Sequence, residues 1–167
     1  MKVKLIIAHL TSVLKKHRSS EGFTLIELLV VIIIVGILSA IAIPSLLAQV
    51  GKAREAEAKE TLSAIAQAQQ AYFFEKATFA GTKAKLNMPM KAKYYDFPDP
   101  SVADANKVKH QAITQYANIN NIRNYSLGVY QDSGKFSIVL CQSESVGGDA
   151  QAPDTSIENC RDGIKVE

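Results

Sequence analysis

The sequence predicts an α+β protein, one long N-terminal helix packed on a small antiparallel-sheet head. Three observations carry this. Residues 28–43 form a run of 16 without a charge, and taken from Leu25 to Leu47 the apolar segment reaches the ~20 residues that span a hydrocarbon core. Beyond it, apolar residues return at helical spacing among charges. Nearer the C-terminus, residues 125–130 and 135–141 read as strands around a turn, and 11 of the 12 aromatic residues lie downstream of the apolar run, enough to fill a small core.

Taken in order, the chain opens with a basic leader. Lys2, Lys4, Lys15, Lys16 and Arg18 face only Glu21, a local balance of +4. Val3, Ile6, Ile7, Leu10, Val13 and Leu14 follow helical spacing, so the leader is either a weak amphipathic helix on an anionic membrane surface or a tail. Basic residues beside a membrane helix stay in the cytoplasm, which places the C-terminal head outside. A secretory signal would have a shorter apolar region and a small-residue cleavage site. No Ala-x-Ala closes this one, so the segment is expected to be retained.

Between leader and span stands Glu21-Gly22-Phe23-Thr24-Leu25-Ile26-Glu27. With the apolar residues 28–38 that follow, this junction resembles the class III signal and N-terminal helix of type IV pilins and type II secretion pseudopilins. Residues 66–79, AQAQQAYFFEKATF, resemble the stem end of cyanobacterial major pilins. The resemblance implies the type IV pilin fold. It also implies that a membrane prepilin peptidase cuts between Gly22 and Phe23, that the new Phe23 amine is N-methylated, and that Glu27 is the assembly residue. Gly22 has no Cβ and enters a tight protease cleft where other residues resist. An ionised Glu27 inside an apolar helix needs a positive partner. The Phe23 amine, four residues away and present on every neighbouring copy, supplies one. The alternative is a carboxylate at headgroup level near the cytoplasmic end of the span.

Gly36 and Pro44 punctuate the helix and are its expected points of flexibility. Proline removes the hydrogen bond to the Ala40 carbonyl, so a kink or short melted stretch is expected there. Past Pro44, Ala58, Leu62, Ile65, Gln69, Tyr72 and Phe73 form a helical stripe. Lys52, Arg54, Glu55, Glu57, Lys59 and Glu60 take other faces, with Glu55 and Lys59 spaced for an i,i+4 pair. A continuous helix over residues 23–74 would be on the order of 78 Å long.

The head follows. Residues 94–100 read as extended or turn structure, and residues 103–117 as a short helix. The strand pair 125–130 and 135–141 around Gln131-Asp132-Ser133-Gly134 predicts an antiparallel hairpin, with a third strand near 163–166. Cys141 and Cys160 are the only cysteines. In an oxidising compartment they would close a loop worth roughly 3 kcal/mol. The chain thus divides into leader 1–22, transmembrane and assembly half 23–48, amphipathic half 49–78, variable connection 79–124, and strands with the cysteine-closed loop 125–167.

Charge narrows the partners. The whole chain is +3, but loss of the leader would leave −1. Nucleic acid as a partner is therefore not supported by the mature net charge. Seven lysines against three aspartates over residues 76–109 oppose three cations against seven acids over 132–167. Such patches would meet between neighbouring heads, or Lys83, Lys85, Lys91 and Lys93 would meet an anionic surface. Asp96, Asp99 and Asp104 are turn residues rather than calcium ligands, lacking the required loop, and Asn124-Tyr125-Ser126 is an N-glycosylation pattern abutting a strand. With His9 and His17 in the leader, only His110 remains to a mature chain. No catalytic motif, metal site or cofactor is indicated. The expected function is a structural pilus subunit, held as a single-pass precursor in the cytoplasmic membrane. Its partners would be prepilin peptidase, the assembly platform and further copies in an extracellular helical filament. The alternatives are a secretion pseudopilin and a single-pass membrane-anchored binding protein.

Overall fold

The computed structural model describes residues 23–88, 90, 93–117 and 121–166, and the chain divides into two compact units between Ile43 and Pro44. Gly22, the leader with its amphipathic pattern, His9, His17 and Lys91 lie outside the described residues. Helix α1, Leu25–Lys76, is 52 residues long and carries Pro44 within it. At Pro44, where a kink or short melted stretch is expected, the backbone stays helical, as do all residues from 36 to 44. One missing amide donor removes one backbone bond, and the bonds on either side hold the helical geometry.

Within the C-terminal unit, a 3-10 turn at Lys83–Leu86 leads into six strands. These are β1 (Tyr95–Asp96), β2 (Val102–Ala103), β3 (Lys107–Thr114), β4 (Tyr125–Asp132), β5 (Lys135–Gln142) and β6 (Ile164–Val166). All pairs are antiparallel, in the order β1-β3-β4-β5-β6, with β2 also pairing to β3. The β4–β5 hairpin turns at Ser133 and Gly134, both at positive φ, which glycine adopts at no steric cost.

The short helix expected over residues 103–117 is instead strand β3. Its Lys, Ala and Gln content favours helix locally. Six-position pairing with β4, from Lys107↔Tyr130 to Ala112↔Tyr125, overrides that preference. The alternation was hidden because both faces are covered. Val108, His110 and Ala112 take one side, and Lys107, Lys109 and Gln111 the other.

Strand β4 is buried on both faces for the same reason. Tyr125, Leu127 and Val129 form one core with Ala58, Leu62, Ile65 and Ala66 of α1 and with Phe79, Tyr95 and Phe97. Phe73, Phe74 and Phe79 each pack against the ring of Phe136. The expected Glu55–Lys59 pair is not made. Glu55 Oε1 accepts the Arg123 N–H at 3.0 Å, and Lys59 Nζ lies 5.3 Å from the centre of the Tyr125 ring, so docking on the head replaces the pair.

The other face of the sheet is covered by the segment between the cysteines. Tyr130 packs with Val139, Cys141 and Cys160, and its hydroxyl donates to the Pro153 carbonyl at 2.6 Å. The Tyr130 ring lies over Gly128, where an added Cβ would meet the Tyr130 hydroxyl at 2.3 Å and the ring at 2.6 Å. Gly128 is thus the gap that lets the ring lie flat on the sheet.

A polar seam joins α1 to β3. Gln69 Oε1 accepts the Ala80 N–H at 2.8 Å, and Gln69 Nε2 donates to the Ala80 carbonyl at 3.0 Å and meets His110 Nε2 at 2.8 Å. With both Gln69 roles fixed by Ala80, His110 Nε2 is the acceptor, so the ring is neutral with its proton on Nδ1. Burial lowers the imidazole pKa to about 4, against a smaller upward pull from Asp99.

Candidate assembly surface

In the N-terminal unit every residue from Phe23 to Leu38 is exposed. The large apolar side chains range from 42% exposed at Leu29 to 82% at Leu25. At roughly 1.5–3 kcal/mol for each such side chain buried, the fifteen between Phe23 and Ile43 represent tens of kcal/mol waiting on a membrane or on other helices. The helix is long and apolar enough to cross a membrane.

The start of α1 is built by Thr24. Its Oγ1 accepts the Glu27 N–H at 3.3 Å, and its carbonyl accepts Glu27 N–H at 3.1 Å and Leu28 N–H at 3.2 Å. Thr24 is therefore the N-cap and Glu27 the third helical residue, the Thr-x-x-Glu spacing of a capping box. Sequence reasoning passed over Thr24 as a cap, though that spacing ahead of an apolar run was the signal. Phe23, 74% exposed, precedes the cap, and Glu27 stands in the first helical turn, where the helix dipole favours a negative charge. The Glu27 carboxylate is exposed and has no ion-pair partner among the described residues. Phe23 and Glu27 are thus brought to one helix end, while Gly36 and Pro44 lie further along α1.

The two cysteines are joined, Cys141 to Cys160, with Cα atoms 5.8 Å apart. Next to this bridge, Asp154 accepts from Lys109 at 2.9 Å and Lys107 at 3.3 Å on one oxygen and from Arg161 on the other. Hydrogen bonds from Lys109 and Lys107 lower the pKa of its carboxyl to about 2. That stabilisation is present above the ordinary aspartate pKa and is lost as pH falls towards 2. The charge opposition read from the sequence is thus satisfied at Lys107 and Lys109 inside one head. Lys83 is also occupied, donating its N–H to Asp99 at 2.8 Å and its Nζ to the Phe97 carbonyl at 3.0 Å. Asp104 Oδ1 caps Asn106 and Lys107 N–H groups at 2.7 and 2.8 Å, a turn residue as expected. Asn124 is a structural hub. It accepts from Thr114 N–H at 2.7 Å and donates to the Gly147 and Gly148 carbonyls at 3.2 and 2.8 Å, so its amide is engaged within the fold. Among the described residues, no group of three or more His, Cys, Asp or Glu is placed to hold a metal ion.

Replacing both cysteines by serine is expected to cost about 2–4 kcal/mol of head stability. Urea unfolding checks this as a lower midpoint. An unchanged midpoint would mean that the Asp154 contacts alone fix the loop.

Comparison with known proteins agrees with this architecture. Residues 55–161 match the family of type IV pilin-like G and H proteins, and residues 17–43 match the prokaryotic N-terminal methylation motif. The chain is 34% identical over 94 residues to the type IV major pilin protein PilA of Myxococcus xanthus, covering 56% of this chain and 43% of that protein. It is 34% identical over 76 residues to the type II secretion system core protein G of Pseudomonas aeruginosa, covering 46% of this chain and 54% of that one. It is 38% identical over 69 residues to the type IV wide pilus major component PilA4 of Thermus thermophilus, covering 41% of this chain and 53% of that one. The matches span about half the length of these relatives. Since the family match covers more than half of the 167 residues, and the helix and antiparallel head accord with it, the chain belongs to the type IV pilin-like G and H family.

Proposed function

We propose that this chain is the structural subunit of a type IV pilus, trimmed between Gly22 and Phe23, methylated on the Phe23 amine, and polymerised through α1 into a surface filament for motility, adhesion or DNA uptake. The observation that carries this reading is an apolar helix with no covering of its own, opening on a Thr24-capped turn that holds Glu27 one turn from Phe23. Trimming turns a neutral peptide nitrogen at Phe23 into a cation. Glu27 of an incoming copy then neutralises the Phe23 amine of a copy already in place, and the pairing sets axial register. Gly36 and Pro44 are the positions where the helix would yield once packed. In the precursor, the basic leader keeps the N-terminus in the cytoplasm and the disulfide-bonded head outside. Prepilin peptidase and the assembly platform of the membrane are the partners this reading requires.

A second reading, a type II secretion pseudopilin, is favoured by the similarity to the Pseudomonas aeruginosa core protein G. The test is mass spectrometry of the N-terminal peptide in filaments sheared from cells and in washed membranes. Methylated Phe23 at the start of abundant sheared material supports the pilin. Processed chain confined to membranes supports the pseudopilin, and an uncut leader in both fractions leaves a membrane-anchored binding protein and overturns both filament readings.

A further inference from the structure

We infer that Gln69 and His110 form an acid-released latch that fastens the C-terminal end of α1, and the chain leaving it, to the sheet. The latch stands on donor and acceptor roles. Gln69 meets Ala80 at two points, accepting from its N–H and donating to its carbonyl, at 2.8 and 3.0 Å. The remaining amide hydrogen goes to His110 Nε2 at 2.8 Å. A protonated imidazole has two N–H donors and no acceptor, so Nε2–H would face the Gln69 amide nitrogen. Turning the Gln69 amide over satisfies the imidazolium but sets donor against donor and acceptor against acceptor at Ala80. Neither orientation satisfies all the groups. Gln69 and His110 are 0% and 1% exposed, so water does not relieve the conflict while the latch is closed, and unmet polar groups there are costly.

The surroundings add no compensating charge strong enough to keep it closed. From the β1–β2 connection Asp99 bears on His110, but its Oδ1 already accepts the Lys83 N–H. Across the ladder β4 presents Leu127, and α1 presents the neutral Gln69. Lys107 and Lys109 of β3 reach the opposite face, at Asp154. Burial, which holds the His110 pKa at about 4, agrees with a site built for the neutral ring. What the latch restrains is a chain already under tension. Ala77, which ends the helix, sits at φ 54°, a left-handed conformation that glycine adopts freely and a residue with a Cβ does not.

Acid therefore opens this corner before the hairpin. The sign follows from linkage. The open state binds a proton near the ordinary histidine pKa and the closed state resists it, so opening grows as pH falls from about 6.5 to about 4.

The test is hydrogen exchange on the full chain in detergent, with intrinsic rates divided out. It follows the Ala80 amide against Val129 in the middle of β4. Between pH 7 and pH 5 the protection of Ala80 should fall about 20-fold while that of Val129 holds. His110→Gln, which keeps a neutral acceptor, should flatten the response. Gln69→Glu leaves the Ala80 carbonyl without its donor at either pH, which lowers protection throughout, but the trend with pH should reverse, because the carboxylate accepts from the imidazolium that forms in acid. Constant Ala80 protection in the wild type, an equal fall at Val129, or an unchanged fall in His110→Gln would overturn the latch. If His110→Gln does not fold, failure of Gln69→Glu to reverse the trend does the same.

Discussion

Glu27→Ala will leave a chain that is trimmed and held in the membrane yet missing from sheared surface material. In the proposed filament each addition buries one Phe23 amine against one Glu27 carboxylate. Removing the acid leaves the cation buried without a partner, which costs about 3–5 kcal/mol for a buried pair. That lowers the equilibrium for each addition by between about 100-fold and several thousand-fold. Since every copy in the filament repeats the loss, the expected yield is effectively none. Quantitative immunoblots of sheared and membrane fractions, with the N-terminal mass as the processing readout, check it. Glu27→Asp, one methylene shorter, should recover part of the yield because the charge remains. Wild-type filament levels in Glu27→Ala would mean that apolar packing of the helices alone drives assembly.

Leu62→Ala will cause a large loss of head stability from a single truncation. Leu62 is 0% exposed in α1 and belongs to the same core as Ile65, Tyr95, Tyr125 and Leu127. Deleting a buried leucine side chain costs about 2–5 kcal/mol, through lost burial and the cavity left behind. For a head of this size each kcal/mol moves the melting midpoint by roughly 4–8 °C, so a fall of at least about 8 °C is expected. Gln67→Ala, on the exposed side of the same helix, is the control and should change little. Thermal melting followed by circular dichroism measures both. A Leu62→Ala shift as small as that of Gln67→Ala would mean that α1 does not form the core with the sheet.

How much of this was legible in the sequence depends on which forces set each element. The helix was readable because its period persists over tens of residues, from the apolar run through Ala58, Leu62 and Ile65. The hairpin was readable because Ser133 and Gly134 supply its turn. Strand β3 was not, because Lys107 and Lys109 lie on a face that looks solvent-facing until Asp154 covers it. The packing of the cysteine-closed loop on the sheet was also out of reach. It depends on Tyr130 lying over Gly128, a relation two residues apart in sequence that only the pleat makes meaningful. Two signals were available and went unused. Thr24 stands three residues before Glu27, and Gln69 is the one amide in an otherwise apolar stripe, which marks a buried hydrogen-bonding partner. At the assembly end, Phe23 and Glu27 were legible as a pair through spacing, and the Thr24 cap that starts their helix was legible through the same spacing.

In the proposed filament, Phe23 of one copy meets Glu27 of another. The most direct measurement is a filament reconstruction by electron cryomicroscopy at side-chain resolution. The Phe23 nitrogen is expected within ~4 Å of a Glu27 carboxylate on a neighbouring copy, the range of an ion pair. A Glu27 carboxylate with no cation from another copy near it, in a filament made of this chain, would contradict it.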